Sequence, residues 1–187
     1  MKYLIKNMVS MRCKMQVRTL IEGKGYNCIS IDAGEFELLE ELNTEYLVAL
    51  SKELNQIGFL ILDDKEEHII KTIRGIVAEL VHYSEKVLQV DIDKYLDEKL
   101  EISAADLILL FSSVKGISIA QYFMLQKIEK AKELILYEGM PVLEIADKLG
   151  FNSLTEMQND FKKLSGLSPD FFERLRLQRL EKMKLCE

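Results

Sequence analysis

Apolar positions along this chain keep changing their period. Tyr3 to Val9 is a short apolar run that suits a strand, and Met11 to Lys24 then shows helical spacing through Met11, Met15, Leu20 and Ile21. Gly23 and Gly25 stop that helix. Cys28-Ile-Ser-Ile-Asp and Glu35-Phe-Glu-Leu alternate with period two, and Ala33-Gly34 between them predicts a hairpin turn. Thr44 is the expected N-cap of a second helix, with Leu47, Leu50, Leu54 and Ile57 along one face. Gly58 ends it, and Phe59-Leu-Ile-Leu follows as a buried strand. The order β-α-β-β-α-β is the split βαβ plan.

From Glu66 to Lys86 the spacing is helical again, through Ile69, Ile73, Ile76, Val77, Leu80 and Val81, and it lapses near Val87. After Asp91 every segment looks helical. Leu96 and Leu100 belong to one helix, and Leu107, Leu110 and Phe111 to another. Ile119 to Tyr137 forms a long third, and Pro141 suits the first turn of the next. The fold class expected is α+β. Residues 1–64 form the split β-α-β-β-α-β domain, 65–87 a connecting helix, and 88–187 an all-α double helix-turn-helix domain.

The helix-turn-helix reading rests on three stretches. Lys127-Ile-Glu-Lys-Ala-Lys-Glu-Leu-Ile leads to Leu143-Glu-Ile-Ala-Asp-Lys-Leu-Gly-Phe, and Phe161-Lys-Lys-Leu-Ser-Gly-Leu-Ser-Pro closes the motif. Ala146 is small where two helices must cross, and Gly150 stands where a left-handed turn favours glycine. Phe151, Met157 and Phe161 anchor the following helix. Its outer face presents Thr155, Gln158, Asn159 and Lys162, side chains suited to adenine edges, phosphate or guanine. A solvated polar face would look the same. Leu110-Phe-Ser-Ser-Val-Lys-Gly-Ile-Ser echoes Asp160-Phe-Lys-Lys-Leu-Ser-Gly-Leu-Ser, fifty residues apart, which suggests two copies of one unit.

Charge complicates that picture. The net charge is −6, and residues 91–187 carry 14 Lys and Arg against 17 Asp and Glu. This excludes indiscriminate coating of nucleic acid and demands local clustering of basic groups. Lys162, Lys163, Arg174, Arg176 and Arg179 supply such a cluster. No apolar run is long enough to span a membrane, and Met1-Lys-Tyr-Leu-Ile-Lys-Asn lacks the apolar core of a secretion signal. Three distant cysteines, Cys13, Cys28 and Cys186, fit free thiols in a reducing cytoplasm. No Ser-His-Asp set, catalytic carboxylate pair or phosphate-cradling glycine loop is present, so an enzyme is not expected.

From about Asp91 to Leu177 these motifs resemble the AraC/XylS family of bacterial transcription regulators. The resemblance implies two helix-turn-helix units bridged by a long helix, each placing a recognition helix in a major groove of double-stranded DNA. The implied contacts are Ser103, Asp106 and Lys115 in the first unit, and Ser153, Thr155, Gln158, Asn159, Lys162 and Lys163 in the second. Ile108 and Leu109 depart from the pattern, standing where the family usually carries a Ser-Arg pair. They offer no hydrogen bonds, though they suit a thymine methyl or a partner subunit. Glu156 and Asp160 add negative charge near the second groove. The second unit is therefore expected to carry the base reading and the first the positioning.

The N-terminal half resembles the heavy-metal-associated domain, whose Met-x-Cys-x-x-Cys motif binds a soft ion such as copper(I) through two thiolates. Here Met8-Val-Ser10-Met-Arg-Cys13 keeps the methionine and the second cysteine but has Ser10 at the first. Cofactors are not expected on that account, with Met8 and Cys13 the candidate ligands should copper(I) or another soft metal bind. Three readings follow. The first is a cytoplasmic regulator whose N-terminal domain senses a signal, forms a homodimer, or both. The second is a metal-binding protein or metal-responsive regulator. The third is a helix-turn-helix scaffold turned to protein contacts.

Overall fold

The computed structural model describes residues 1–84 and 90–184. The end of the connecting helix at Lys86, the boundary near Val87 and the thiol of Cys186 lie outside the described residues.

The chain divides into two compact units, Met1–Ile73 with Asp93–Ile119, and Arg74–Ile92 with Ala120–Glu187. These do not coincide with the segments 1–64, 65–87 and 88–187 expected from periodicity. Sequence order is not what groups them: residues 93–119, far along the chain, fall in one unit with the N-terminal sheet.

In the first unit, β1 (Lys2–Lys6), α1 (Met11–Gly23), β2 (Cys28–Asp32), β3 (Glu35–Leu38), α2 (Thr44–Gln56) and β4 (Leu60–Ile61) follow the split βαβ order. The sheet runs β2-β3-β1-β4 and is antiparallel throughout, with Tyr3 opposite Phe36 and Ile5 opposite Ile61. Tyr3 and Ile5 point to one face. There they join Val17 and Ile21 of α1, Leu50 and Leu54 of α2, and Phe36 and Leu38 of β3 in one buried cluster. The Tyr3 and Phe36 rings stack with centroids 5.3 Å apart. Asn43, not Thr44, caps α2, its side chain accepting the Tyr46 N–H at 2.9 Å. The cap sits one residue earlier because the asparagine oxygen reaches that orphan donor. The last strand is shorter than the Phe59–Leu62 run suggested: Phe59 and Leu62 are buried, but only Leu60 and Ile61 pair with β1.

The helix α3 (Asp64–Ala78) continues through a π-helical turn to Tyr83. Then come α4 (Ile92–Leu100), α5 (Ala104–Lys115), α6 (Ile119–Glu133) with its own π-helical end at Leu134–Glu138, α7 (Val142–Lys148), α8 (Leu154–Ser165) and α9 (Pro169–Lys184). Pro141 sits at the N-cap of α7, one residue ahead of the helix. Gly150 takes φ +65°, as the turn between α7 and α8 requires.

Candidate nucleic-acid interface

Two helices are built to one recipe. In α5, Ser103 is the N-cap and accepts the Asp106 N–H; in α8, Ser153 is the N-cap and accepts the Glu156 N–H. Phe111 and Phe161 are both fully buried on the inner face. Gly116 and Gly166 close the two helices with φ of +72° and +78°. The fifty-residue echo seen in the sequence is thus a repeat of the same capped, anchored helix.

In the second unit, α8 presents a continuous polar edge. Thr155, Gln158, Asn159, Lys162 and Lys163 are all exposed, while Met157 and Phe161 are buried beneath them. This is the helical spacing i, i+3, i+4, i+7 read from the outside. Phe161 meets Phe172 edge-on, with centroids 5.3 Å apart, which fixes α8 against α9. Glu156 is drawn back to the helix start: its carboxylate accepts the Asn152 backbone N–H at 2.8 Å and the Asn152 amide at 3.2 Å. Ser153, an expected DNA contact, uses its oxygen as the helix cap. Arg176, part of the expected basic cluster, packs its guanidinium against Gly139.

Beneath the helix-turn-helix lies a residue to which the sequence reading gave no role. Lys127 of α6 is only 5% exposed. Its ammonium stands 4.9 Å from the ring centroids of both Phe123 and Phe151, and donates to the Gly150 carbonyl oxygen at 3.4 Å. Burial pushes its pKa below the usual lysine range, and the charges of Glu156 and Asp160 oppose that shift. One cation thus ties α6 to the turn that launches α8. The available signal was the spacing Phe123–Lys127 along α6 together with Gly150-Phe151 at the turn.

In the first unit α5 is differently placed. The Asn7 N–H at the end of β1 donates to the Ser113 carbonyl at 2.7 Å. Lys115 is engaged by the sheet: its ammonium lies 3.0 Å from a Glu35 carboxylate oxygen and 3.2 Å from the Ala33 carbonyl. Gly34 touches the same helix end so closely that a Cβ there would lie 2.0 Å from the Val114 carbonyl oxygen. Ser103 and Asp106 also bond each other, hydroxyl to carboxylate, at 2.7 Å. On the outer side Leu109 is 71% exposed. Fifty residues separate Ile108 and Leu109 from Gln158 and Asn159, and Ser112 and Ser113 from Lys162 and Lys163. At those places α5 therefore has neither an amide nor a cation.

The suggested metal motif is also engaged in the fold. Met8 is fully buried in the cluster beneath the sheet. Ser10 caps α1, accepting the Cys13 N–H at 3.2 Å, and its hydroxyl lies 3.1 Å from the Cys13 sulfur. That contact holds the Cys13 thiol below its ordinary pKa. Among the described residues no three His, Cys, Asp or Glu side chains gather as a metal site. One thiol, one hydroxyl committed to a helix cap and one buried thioether do not fit the two-thiolate site of the heavy-metal-associated motif.

Comparison with known proteins bears on the helical half. Residues 96–182 match the family model described as "Helix-turn-helix domain". "Probable transcriptional regulator LumQ" of Photobacterium leiognathi is 28% identical over 173 residues, covering 83% of this chain and 66% of its own length. The chain thus spans just under two thirds of that relative. The C-terminal domain of AraT, a response regulator from Geobacillus stearothermophilus, superposes with a TM-score of 0.50 at 29% identity, covering 58% of this chain and 85% of its own. A regulator from Chromobacterium violaceum, named for an AraC-type DNA-binding domain, gives 0.53 at 15% identity over 62% of this chain and 98% of its own, which speaks to fold alone.

Proposed function

We propose that the chain is a sequence-specific, DNA-binding transcription regulator of the AraC type, a reading supported by the helix-turn-helix domain matched over residues 96–182. The observation that carries this reading is the exposed edge of α8, with Thr155, Gln158, Asn159, Lys162 and Lys163 set over a fully buried Met157 and Phe161. Gln158 and Asn159 read base edges in the major groove, and Lys162 and Lys163 hold phosphates. Lys127 orients the turn from which α8 springs. The split βαβ domain senses a signal, supports a homodimer, or does both, in the cytoplasm.

The test is selection of bound duplexes from a random library, followed by titration of the selected operator and a scrambled duplex. Gln158→Ala combined with Asn159→Ala should remove the preference for the operator. Unchanged discrimination in the double variant would reject these two residues as readers.

A further inference from the structure

Two acids stand on the helix proposed to read DNA. Glu156 lies in the first turn of α8 and Asp160 follows one turn later, on an element where phosphates repel a free carboxylate. Glu156 is not free. It lines a hollow of about 360 Å³ in the compact unit that holds α8, together with Phe123, Lys127, Gly150, Phe151 and Asn152. One carboxylate oxygen accepts the Asn152 backbone N–H at 2.8 Å, and the other accepts the Asn152 side-chain amide at 3.2 Å. The Glu156 N–H donates to the Ser153 hydroxyl at 3.1 Å. Side chain and backbone are thus both bound at the head of the helix, a variant of the capping box.

Lys127 supplies the reason for a carboxylate here. A cation only 5% exposed needs negative charge nearby, because burial strips it of water. The faces of Phe123 and Phe151 answer part of that need, and so does the Gly150 carbonyl, through a bond of 3.4 Å that is long for a charged donor. Glu156 and Asp160 contribute full charges that favour the ammonium, against the desolvation that disfavours it. Asp91 lines the same hollow. A fixed carboxylate and a buried cation therefore share the joint from which α8 leaves.

We infer that Glu156 is a positioning residue for DNA reading: held by Asn152 and sharing its hollow with the buried Lys127, it sets the angle at which α8 leaves the turn and makes no contact with the duplex. The inference rests on the reading of α8 as the recognition helix. Titration of the full chain with the selected operator and a scrambled duplex, over a range of salt, tests it in Glu156→Ala and Glu156→Gln, with folding checked by circular dichroism. Glu156→Ala loses both bonds from Asn152 and should weaken operator binding about tenfold, the size of a lost helix cap. Glu156→Gln keeps an acceptor for the Asn152 N–H and should recover most of that loss, with the salt slope unchanged. A carboxylate turned to the duplex behaves otherwise: its removal in Glu156→Gln strengthens binding to every duplex and steepens the salt slope. A second readout needs no DNA. Lysine side-chain NMR should show the Lys127 titration moving to lower pH in Glu156→Gln, because a favouring charge is gone. Stronger binding of Glu156→Gln to both duplexes, equal losses in the two variants, native operator affinity in Glu156→Ala, or an unmoved Lys127 titration would each overturn the inference. If Gln158→Ala with Asn159→Ala still removed the preference for the operator, the reading of α8 would stand without it.

Discussion

The helices α5 and α8 share a serine cap, a buried phenylalanine and a left-handed closing glycine, and yet they face the world differently. The inner faces are near copies because each must seat a helix in a packed core, where volume and shape are tightly constrained. The outer faces answer only to what they touch. In α8 that face is Gln158, Asn159, Lys162 and Lys163; in α5 the same places hold Ile108, Leu109, Ser112 and Ser113. The α5 end is also pinned to the sheet through Asn7, Gly34 and Lys115. The two copies of the fold unit thus share a scaffold and differ on their outer faces.

The sharpest break is a paired substitution of the proposed reading positions. Gln158→Ala with Asn159→Ala should lower operator discrimination by about 1–3 kcal/mol for each lost bidentate contact. Ile108→Ala with Leu109→Ala should leave that discrimination within a few tenths of a kcal/mol. Equal losses in the two double variants, measured by competition with scrambled duplex, would show that both helices read bases and would erase the asymmetry.

Next in size is a stability contrast between the closing glycines. Gly116→Ala and Gly166→Ala both force a side chain into left-handed backbone, at about 1–2 kcal/mol. At Gly166 a Cβ meets nothing within 4 Å, whereas at Gly116 it would lie 2.8 Å from a Val9 methyl carbon. Gly116→Ala should therefore cost more in chemical denaturation, by about 1 kcal/mol or above, since the strain of overpacking is added. Gly34→Ala should be as damaging, because the group it would strike is backbone rather than a side chain. Equal costs at 116 and 166 would mean that α5 does not bear on the sheet as closely as its counterpart stands free.

A smaller effect separates the cations. Lys162→Ala should weaken binding to every duplex alike and reduce the salt slope of binding by about one. Ser112→Ala, at the matching place in α5, should change neither. A loss confined to the operator in Lys162→Ala would reassign that lysine to base reading.

Much of this was legible in the sequence, and the reason is local. Strand and helix order followed from the switch between period two and helical spacing, and the helix-turn-helix from Ala146, Gly150, Phe151 and Phe161 at fixed intervals. What stayed hidden depends on contacts between distant segments. Nothing near Lys115 announces Glu35, eighty residues away, and nothing near Met8 tells that its side chain is fully buried in the core. Lys127 stood in plain view within the motif, but its role requires Phe151 and Gly150 to come over it, a tertiary fact.

Lys127 gives the last and smallest contrast, in pH. Its pKa is lowered by burial from the ordinary value of 10.5. The unfolded chain therefore binds the proton more tightly than the folded one does. Between the lowered folded value and 10.5 the unfolded state holds more protons, so this group makes stability rise with pH across that window. As pH falls through the folded value, the cost of burying the cation is felt in full. Lys127→Met keeps the apolar stem between Phe123 and Phe151 and removes the charge, so the alkaline rise should vanish when unfolding is followed across that range. The same variant loses the bond to Gly150, so operator binding should fall even where stability does not. An unchanged alkaline profile in Lys127→Met would show that the buried ammonium is not the titrating group, and operator binding equal to that of the native chain would free α8 from its dependence on α6.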